Sequence, residues 1–306
     1  MGSEPPILRA LEPSTADPRY PPTPPATPKR HQTRVATAGC ETAPVGLWVI
    51  DLDGVVWRGP EAVPGSPDAV ASLLERGDRV VFCTNDAAGP ADKAEHLRRL
   101  GVPACPVITS ADAVVAACAD AAAVLVLGRP GLVRYLGDSG LPVTDVASLP
   151  DGGSLDGVDV VVVGALEDWD RSRIGMAADA VRSGARFLAA NDDATFPTAG
   201  PDGPRLLPGN GALVAAVATA AGRSPEIAGK PHAPMASVIV ERHGPVDVVV
   251  GDKPETDGAL AVALGARYGL VLSGVTSAAD LPADPAPWAV GADLAELVGA
   301  SGAGRP

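Results

Sequence analysis

Leu47-Trp48-Val49-Ile50-Asp51-Leu52-Asp53-Gly54 decides how the rest of the chain is read. Four apolar residues run into an acid, a second acid follows two positions later, and a glycine closes the stretch. An unbroken apolar run of this length predicts a strand buried on both faces, as in a parallel sheet. In extended backbone, residues two apart share a side, so Asp51 and Asp53 can face one site. A carboxyl end of a strand is where ligands bind in open α/β sheets, and Gly54 lets the backbone approach an anion closely. Taken alone the pattern is weak, because aspartate commonly serves turns.

Outward from that stretch, strands and helices alternate. Helical spacing over 67–76 and 91–100 flanks a predicted strand at 79–83. Val107 and Ile108 predict a short strand, with Ser110 as the cap of the next helix. Strand patterns follow at 123–127, 158–163, 186–190 and 246–250, and 270–272 is the last predicted core strand. Helical patterns lie between them at 171–182, 211–221 and 256–264. This order predicts an α/β protein with a doubly wound parallel sheet.

Three further clusters carry chemistry. Thr84-Asn85-Asp86 follows the 79–83 strand and offers a hydroxyl, an amide and backbone N–H groups to phosphate oxygens; an ordinary polar turn reads the same way. Lys230 is held between Gly229 and Pro231, placed to neutralise a phosphate, though a single lysine is commonly solvated surface. Gly251-Asp252-Lys253-Pro254-Glu255-Thr256-Asp257 again ends a valine-rich strand in an acid, with a second acid five positions on. Carboxylates converging from two strand ends make a hard-oxygen site suited to Mg²⁺, while Asp257 alone also suits a helix N-terminus.

The joint order of these motifs resembles the haloacid dehalogenase superfamily, closest to its class IIA branch of NagD-like and nitrophenylphosphatase-like phosphatases. Asn191-Asp192-Asp193-Ala194-Thr195-Phe196-Pro197, Leu207 to Leu213 and Val271 to Ser277 carry the same resemblance, which spans roughly residues 46–298. It implies a Rossmann-like core with an inserted α/β cap domain, and hydrolysis of small phosphate monoesters through an aspartyl phosphate. Asp51 would be the nucleophile and Asp53 the acid and base. One Mg²⁺ would sit on the Asp51 carboxylate, the Asp53 carbonyl and Asp252. Gly54, Thr84, Asn85, Asp86 and Lys230 would surround the phosphate, and Asp257 would orient Lys230 or a metal-bound water. The implied division is a core of 46–124 and 225–306 with a cap at 125–224. The 144 positions from Asp86 to Lys230 are too many for a loop. Asn191 and Asp193 would face the core site and select the leaving group, with glycerol 3-phosphate or another sugar or polyol phosphate as substrate. Asp86 stands where the family often has asparagine; its charge must be aimed away from the phosphate or paired.

Composition bounds the alternatives. The chain has 306 residues, 46% of them hydrophobic, with 35 Gly, 32 Pro and a net charge of −13. That core content excludes a wholly disordered or collagen-like chain. The negative charge argues against sequence-independent nucleic-acid binding, and no apolar stretch approaches the ~20 residues of a membrane span. Four scattered cysteines without a secretion signal fit a reducing cytoplasm. Residues 1–45 hold ten prolines and no apolar period, which predicts a disordered tail. The partner is then a small phosphorylated metabolite, and the cap is a candidate homodimer surface. Two other readings stand beside the enzyme: a phospho-acceptor receiver module, which would lack the insertion and Asp53, and a catalytically weak, regulatory phospho-ligand-binding relative. Trp57 reads as core packing or a contact to the cap, and His232 as a solvated loop residue near Lys230.

Overall fold

Apolar runs form the strands, and the computed structural model describes them within residues 46–200 and 203–303. The tail at 1–45 lies outside the described residues. The chain opens with β1 (Leu47–Ile50), the short hairpin β2 (Trp57–Arg58) and β3 (Glu61–Ala62), α1 (Ser66–Glu75), β4 (Arg79–Thr84), α2 (Pro90–Arg99), β5 (Val107–Thr109) and α3 (Ser110–Ala117). It continues through β6 (Val124–Leu127), α4 (Pro130–Asp138), β7 (Val143–Asp145), β8 (Val160–Val163), α5 (Arg171–Arg182) and β9 (Arg186–Ala189). The hairpin β10 (Thr195–Gly200) and β11 (Gly203–Pro208), α6 (Asn210–Ala221) and β12 (Glu226–Ile227) follow. The last part holds α7 (Ala233–His243), β13 (Val248–Gly251), α8 (Ala259–Leu264), β14 (Arg267–Val271), β15 (Ala289–Gly291) and α9 (Leu294–Ala303).

These strands build two parallel sheets. The first has six strands in the order β15-β14-β13-β1-β4-β5. The chain runs outward from β1 through β4 to β5, then returns to β13 on the other side of β1. The boundary between β1 and β13 is therefore a topological switch point, where a crevice opens at the strands' carboxyl ends. The second sheet, β12-β9-β8-β6-β7, is formed wholly by residues 124–227.

Packing follows the two-residue period of β1. Leu47 and Val49 join Val81, Val114 of α3 and Met235, Val238 and Ile239 of α7 on one face. Trp48 and Ile50 join Phe82, Val70 and Leu73 of α1, Leu97 of α2 and Leu297 of α9 on the other. The first cluster continues into Val126, Val162 and Leu188 of the second sheet. That sheet's opposite face packs on α5 and α6 through Met176, Val181, Leu213 and Val217.

Three local expectations are corrected. The helix expected at 256–264 is a single π-turn at Pro254–Gly258 followed by α8, which lets the backbone wrap round Asp257. The strand expected to be last is followed by β15 at the sheet edge, too short and glycine-bounded to stand out. Thr109, not Ser110, caps α3: Asp112 Oδ2 accepts the Thr109 N–H at 2.9 Å, while the Ser110 hydroxyl donates to the Asn85 carbonyl at 2.8 Å.

Candidate active site

Both strands at the switch point end in an acid. Asp51 follows β1 and Asp252 follows β13, and each is buried. Lys230, in the loop before α7, reaches Asp51 and Asp257. Its ammonium donates to Asp51 Oδ1 at 2.6 Å, to Asp257 Oδ1 at 2.7 Å and to the Cys83 carbonyl at 3.2 Å. All three lysine protons are thereby placed. Burial would lower the lysine's pKa, but Asp257 and Asp51 outweigh it and hold the ammonium well above its usual range. Burial pushes the Asp51 carboxyl well up against the pull of Lys230, and Asp257 and Asp252 add to the rise.

Asn85, expected to meet the phosphate, instead grips Lys230. Its Oδ1 accepts the Lys230 N–H at 2.7 Å and its Nδ2 donates to the Lys230 carbonyl at 3.2 Å. Two side-chain amide atoms thus fix the backbone that presents the ammonium. Thr84 is buried at the end of β4, and its hydroxyl accepts the Asp86 N–H at 3.1 Å. Asp86 is also turned from the phosphate role. Its carboxylate pairs with Lys93 Nζ of α2 at 2.6 Å and accepts the Ala88 N–H at 2.7 Å. Burial works against that charge, but Lys93, the Ala88 N–H and Arg129 outweigh it and lower the pKa. The extra negative charge read from the sequence is neutralised inside its own turn.

Asp193 and Asn191 come from the loop between β9, a strand of the second sheet, and β10. Asn191 Nδ2 donates to the Asn85 carbonyl at 2.7 Å, and Asn191 Oδ1 accepts the Asp193 N–H at 3.2 Å. Lys253 Nζ lies 4.0 Å from Asp193 Oδ1. Lys253 escaped the sequence reading; its one signal was a lysine directly after a strand-end acid. Burial opposes its charge, yet Asp193, Asp252, Asp51 and Asp257 together raise its pKa. His232 is half exposed and meets Asp192 Oδ2 at 3.3 Å, outside this cluster.

Asp51, Asp252 and Asp257 each offer a carboxylate oxygen, all within 4.8 Å of one another. This set fits a divalent cation on two observations. Asp252 Oδ1 is buried with no hydrogen-bond partner, while Oδ2 accepts the Val275 N–H at 2.6 Å. Glycines line the Asp252 carboxylate: Gly54, at φ +81°, would place a Cβ 2.6 Å from Asp252 Oδ2, and a Cβ on Gly274 would overlap the same carboxylate. The side chain of Asp53 lies outside the set and is held by Trp57.

Protons and a cation compete here. Burial and Asp257 push the Asp252 carboxyl up to about 6 from its ordinary 3.8, opposed by the Val275 N–H, Lys253 and Lys230. A carboxyl raised on folding stabilises the metal-free protein below its unfolded pKa, and that contribution is lost as pH rises through the folded value. Cation binding strengthens over the same window, because the ligand must be ionised. We expect Mg²⁺ to raise Tm by several degrees at about pH 7.5 and far less at about pH 5. Asp252→Asn should remove most of the rise at the higher pH; an undiminished rise would place the cation elsewhere.

Carboxylates at two strand ends of a switch point, with a buried lysine joining one of them to Asp257, suit metal-assisted phosphohydrolysis on a Rossmann-like sheet. The comparisons agree. A family model described as haloacid dehalogenase-like hydrolase matches residues 48–142, and a second, HAD-hydrolase-like, matches 227–297. D-glycerol 3-phosphate phosphatase of Mycobacterium tuberculosis is 38% identical over 261 residues, covering 81% of this chain and 70% of its own. The crystal structure of glycerol phosphate phosphatase from Mycobacterium tuberculosis in complex with magnesium has a TM-score of 0.71 at 35% identity, over 84% of this chain and 77% of that one. That of 4-nitrophenylphosphatase from Thermotoga maritima has a TM-score of 0.72 at 30% identity, over 83% and 97%. The chain belongs to the haloacid dehalogenase-like hydrolases, in their class IIA branch, and is a phosphoric monoester hydrolase.

Proposed function

We propose that the chain hydrolyses polyol or sugar phosphates, glycerol 3-phosphate foremost, through a phosphoenzyme on Asp51. The observation that carries this reading is the Lys230–Asp51 contact of 2.6 Å inside the Asp51, Asp252 and Asp257 cluster. The ammonium lies where a phosphoryl oxygen and the Asp51 carboxylate would both meet it, and the lysine is fixed by Asp257 and Asn85 before substrate arrives. Such preorganised charge is the main resource of phosphoryl transfer, which needs positioning and electrostatic stabilisation more than bond-making by the protein.

In the first half-reaction an Asp51 carboxylate oxygen attacks phosphorus as the ester O–P bond breaks, and Asp53 gives its proton to the departing oxygen. In the second, Asp53 takes a proton from water as that water attacks the aspartyl phosphate; inorganic phosphate leaves and Asp51 is regenerated. Thr84 keeps its hydroxyl proton for a phosphoryl oxygen, since the Asp86 N–H uses its lone pair. Asp51, Asp252 and the Asp53 carbonyl are the proposed Mg²⁺ ligands, with Asp257 beside them holding Lys230. Bound Mg²⁺ would supply charge neutralisation among these carboxylates and the phosphate.

The division proposed is a catalytic core of 46–124 and 225–306 and a cap at 125–224. The second sheet, spanning 124–227, supports it. Asp193 is the proposed hydroxyl acceptor for the leaving group: it reaches the core site beside Asn85 and Lys253, and burial raises its pKa against both lysines. A cytoplasmic setting and a homodimer through the cap accompany this reading. Cys83, Cys105 and Cys118 are free thiols, and Leu206 on the β10–β11 hairpin is 66% exposed. Among the described residues no helix is long and apolar enough to cross a membrane.

The test is a panel of phosphate esters on purified protein with Mg²⁺. The expected order of kcat/KM puts glycerol phosphates and small sugar phosphates at least about tenfold above nucleoside monophosphates, whose bulky bases the proposed cap would have to admit. A flat profile, or a nucleotide at the top, would overturn the substrate class.

A further inference from the structure

Trp57 sits four residues after Asp53 and opens the β2–β3 hairpin. Its indole Nε1–H donates to Asp53 Oδ1 at 2.8 Å. Among the described residues this is the one hydrogen bond recorded for that carboxylate, which is otherwise exposed. The indole itself cannot drift. The residue is 4% exposed, and its ring packs edge-on against His96 with centroids 4.7 Å apart. Its backbone closes the turn, the carbonyl accepting the Gly54 N–H at 2.8 Å and the N–H reaching the Leu52 carbonyl at 3.1 Å. Val55 and Val56, both fully buried, pin the residues between. An exposed aspartate is thus tethered to a buried, immobile donor.

We propose that Trp57 is a positioning residue for proton transfer, fixing which oxygen of Asp53 carries the proton. The proposal rests on the acid and base role of Asp53 given above. An indole N–H donates and never accepts. Oδ1 must therefore be an acceptor in both protonation states of Asp53, and the transferable proton belongs on Oδ2. In the forward half-reaction that proton leaves Oδ2 for the ester oxygen as its bond to phosphorus breaks. In hydrolysis the same oxygen receives the proton of the attacking water. Trp57 exchanges nothing; it restrains the carboxylate's rotation, so that the proton-bearing oxygen faces the leaving group. A core tryptophan without this duty would leave leaving-group dependence untouched.

The experiment is Trp57→Phe, which keeps a ring against His96 and deletes the N–H. For the alkyl phosphate turned over fastest, whose leaving oxygen needs a proton, kcat should fall about tenfold with KM nearly unchanged. For 4-nitrophenyl phosphate, whose leaving group departs as an anion, the single-turnover rate of nitrophenolate release should stay within about twofold, while breakdown of the aspartyl phosphate, common to both substrates, shares the loss. Should Trp57→Phe fail to fold, benzothienylalanine placed at position 57 supplies sulfur for N–H in the same bicyclic shape, and the same split is expected. Asp53→Asn separates this proposal from the reading beneath it. That variant must itself slow the alkyl phosphate; near-normal turnover overturns both. In the Asp53→Asn background Trp57→Phe should have no further effect on residual turnover. Equal losses in the phosphoryl-transfer step on the two substrates, no loss on either, or a full additional loss in the Asp53→Asn background would overturn the positioning role alone.

Discussion

Asp51→Asn is expected to lower kcat by at least about 10⁴-fold while the fold persists, the scale of loss when a covalent nucleophile is removed. The amide has the shape of the carboxylate but not its nucleophilic charge. Stability should hold or rise, for a reason visible in the site. Asp51 is one of three carboxylates whose oxygens lie within 4.8 Å, with Lys230 as the cation in direct contact. Removing one negative charge relieves repulsion from Asp252 and Asp257, and Lys230 keeps its 2.7 Å contact to Asp257. The measurement is single-turnover and steady-state hydrolysis of 4-nitrophenyl phosphate on freshly purified protein, beside a thermal melt. Turnover within about tenfold of the parent would eliminate Asp51 as the nucleophile.

Lys230→Met is expected to damage both stability and activity. It deletes the ammonium shared by two buried carboxylates, and breaking a buried pair by removing one partner costs about 3–5 kcal/mol. For a chain of this size that is a fall in Tm of roughly 6–20 °C in metal-free buffer. Activity should fall by about 10²–10³-fold, as for loss of a preorganised electrostatic contact. The variant isolates the ammonium, because Asn85 binds the backbone N–H and carbonyl of residue 230 rather than its side chain. Added Mg²⁺ should restore part of the Tm and little of the rate. A melt unchanged from the parent would show that the ammonium's contacts to Asp51 and Asp257 do not stabilise the fold.

The strands were legible because the first sheet is buried on both faces, so β1, β4 and β13 are written as unbroken apolar runs that need no alternation. The acids at their ends were legible for the same reason: a charge that stops a buried run stands out. What a side chain touches across the chain was not. Asn85 and Lys230 lie 145 positions apart, and only the fold shows that the amide serves the lysine's backbone. The repulsion expected of Asp86 could be stated from the sequence, but its relief by Lys93, one turn into α2, depends on how that helix leaves the loop. The β10–β11 hairpin was masked by Pro197, Pro204 and Pro208, which weaken any strand pattern. Trp57 looked like packing because packing accounts for its ring; its one polar atom carries the added information.

The place of β1 in the first sheet has a consequence for biosynthesis. Val49 pairs with Val249, and the Leu47 N–H is bound by Asp247, 200 positions later. At about 5–20 residues per second of translation, one edge of that strand waits roughly 10–40 s for its neighbour. Until then Leu47 to Ile50 presents open backbone groups and apolar side chains, a template for pairing with another nascent chain. Residues 124–227 emerge during the wait and hold every strand of their own sheet. Residues 124–227 can therefore assemble before the first sheet is complete, and the strand that leads to Asp51 stays open on one edge until β13 arrives.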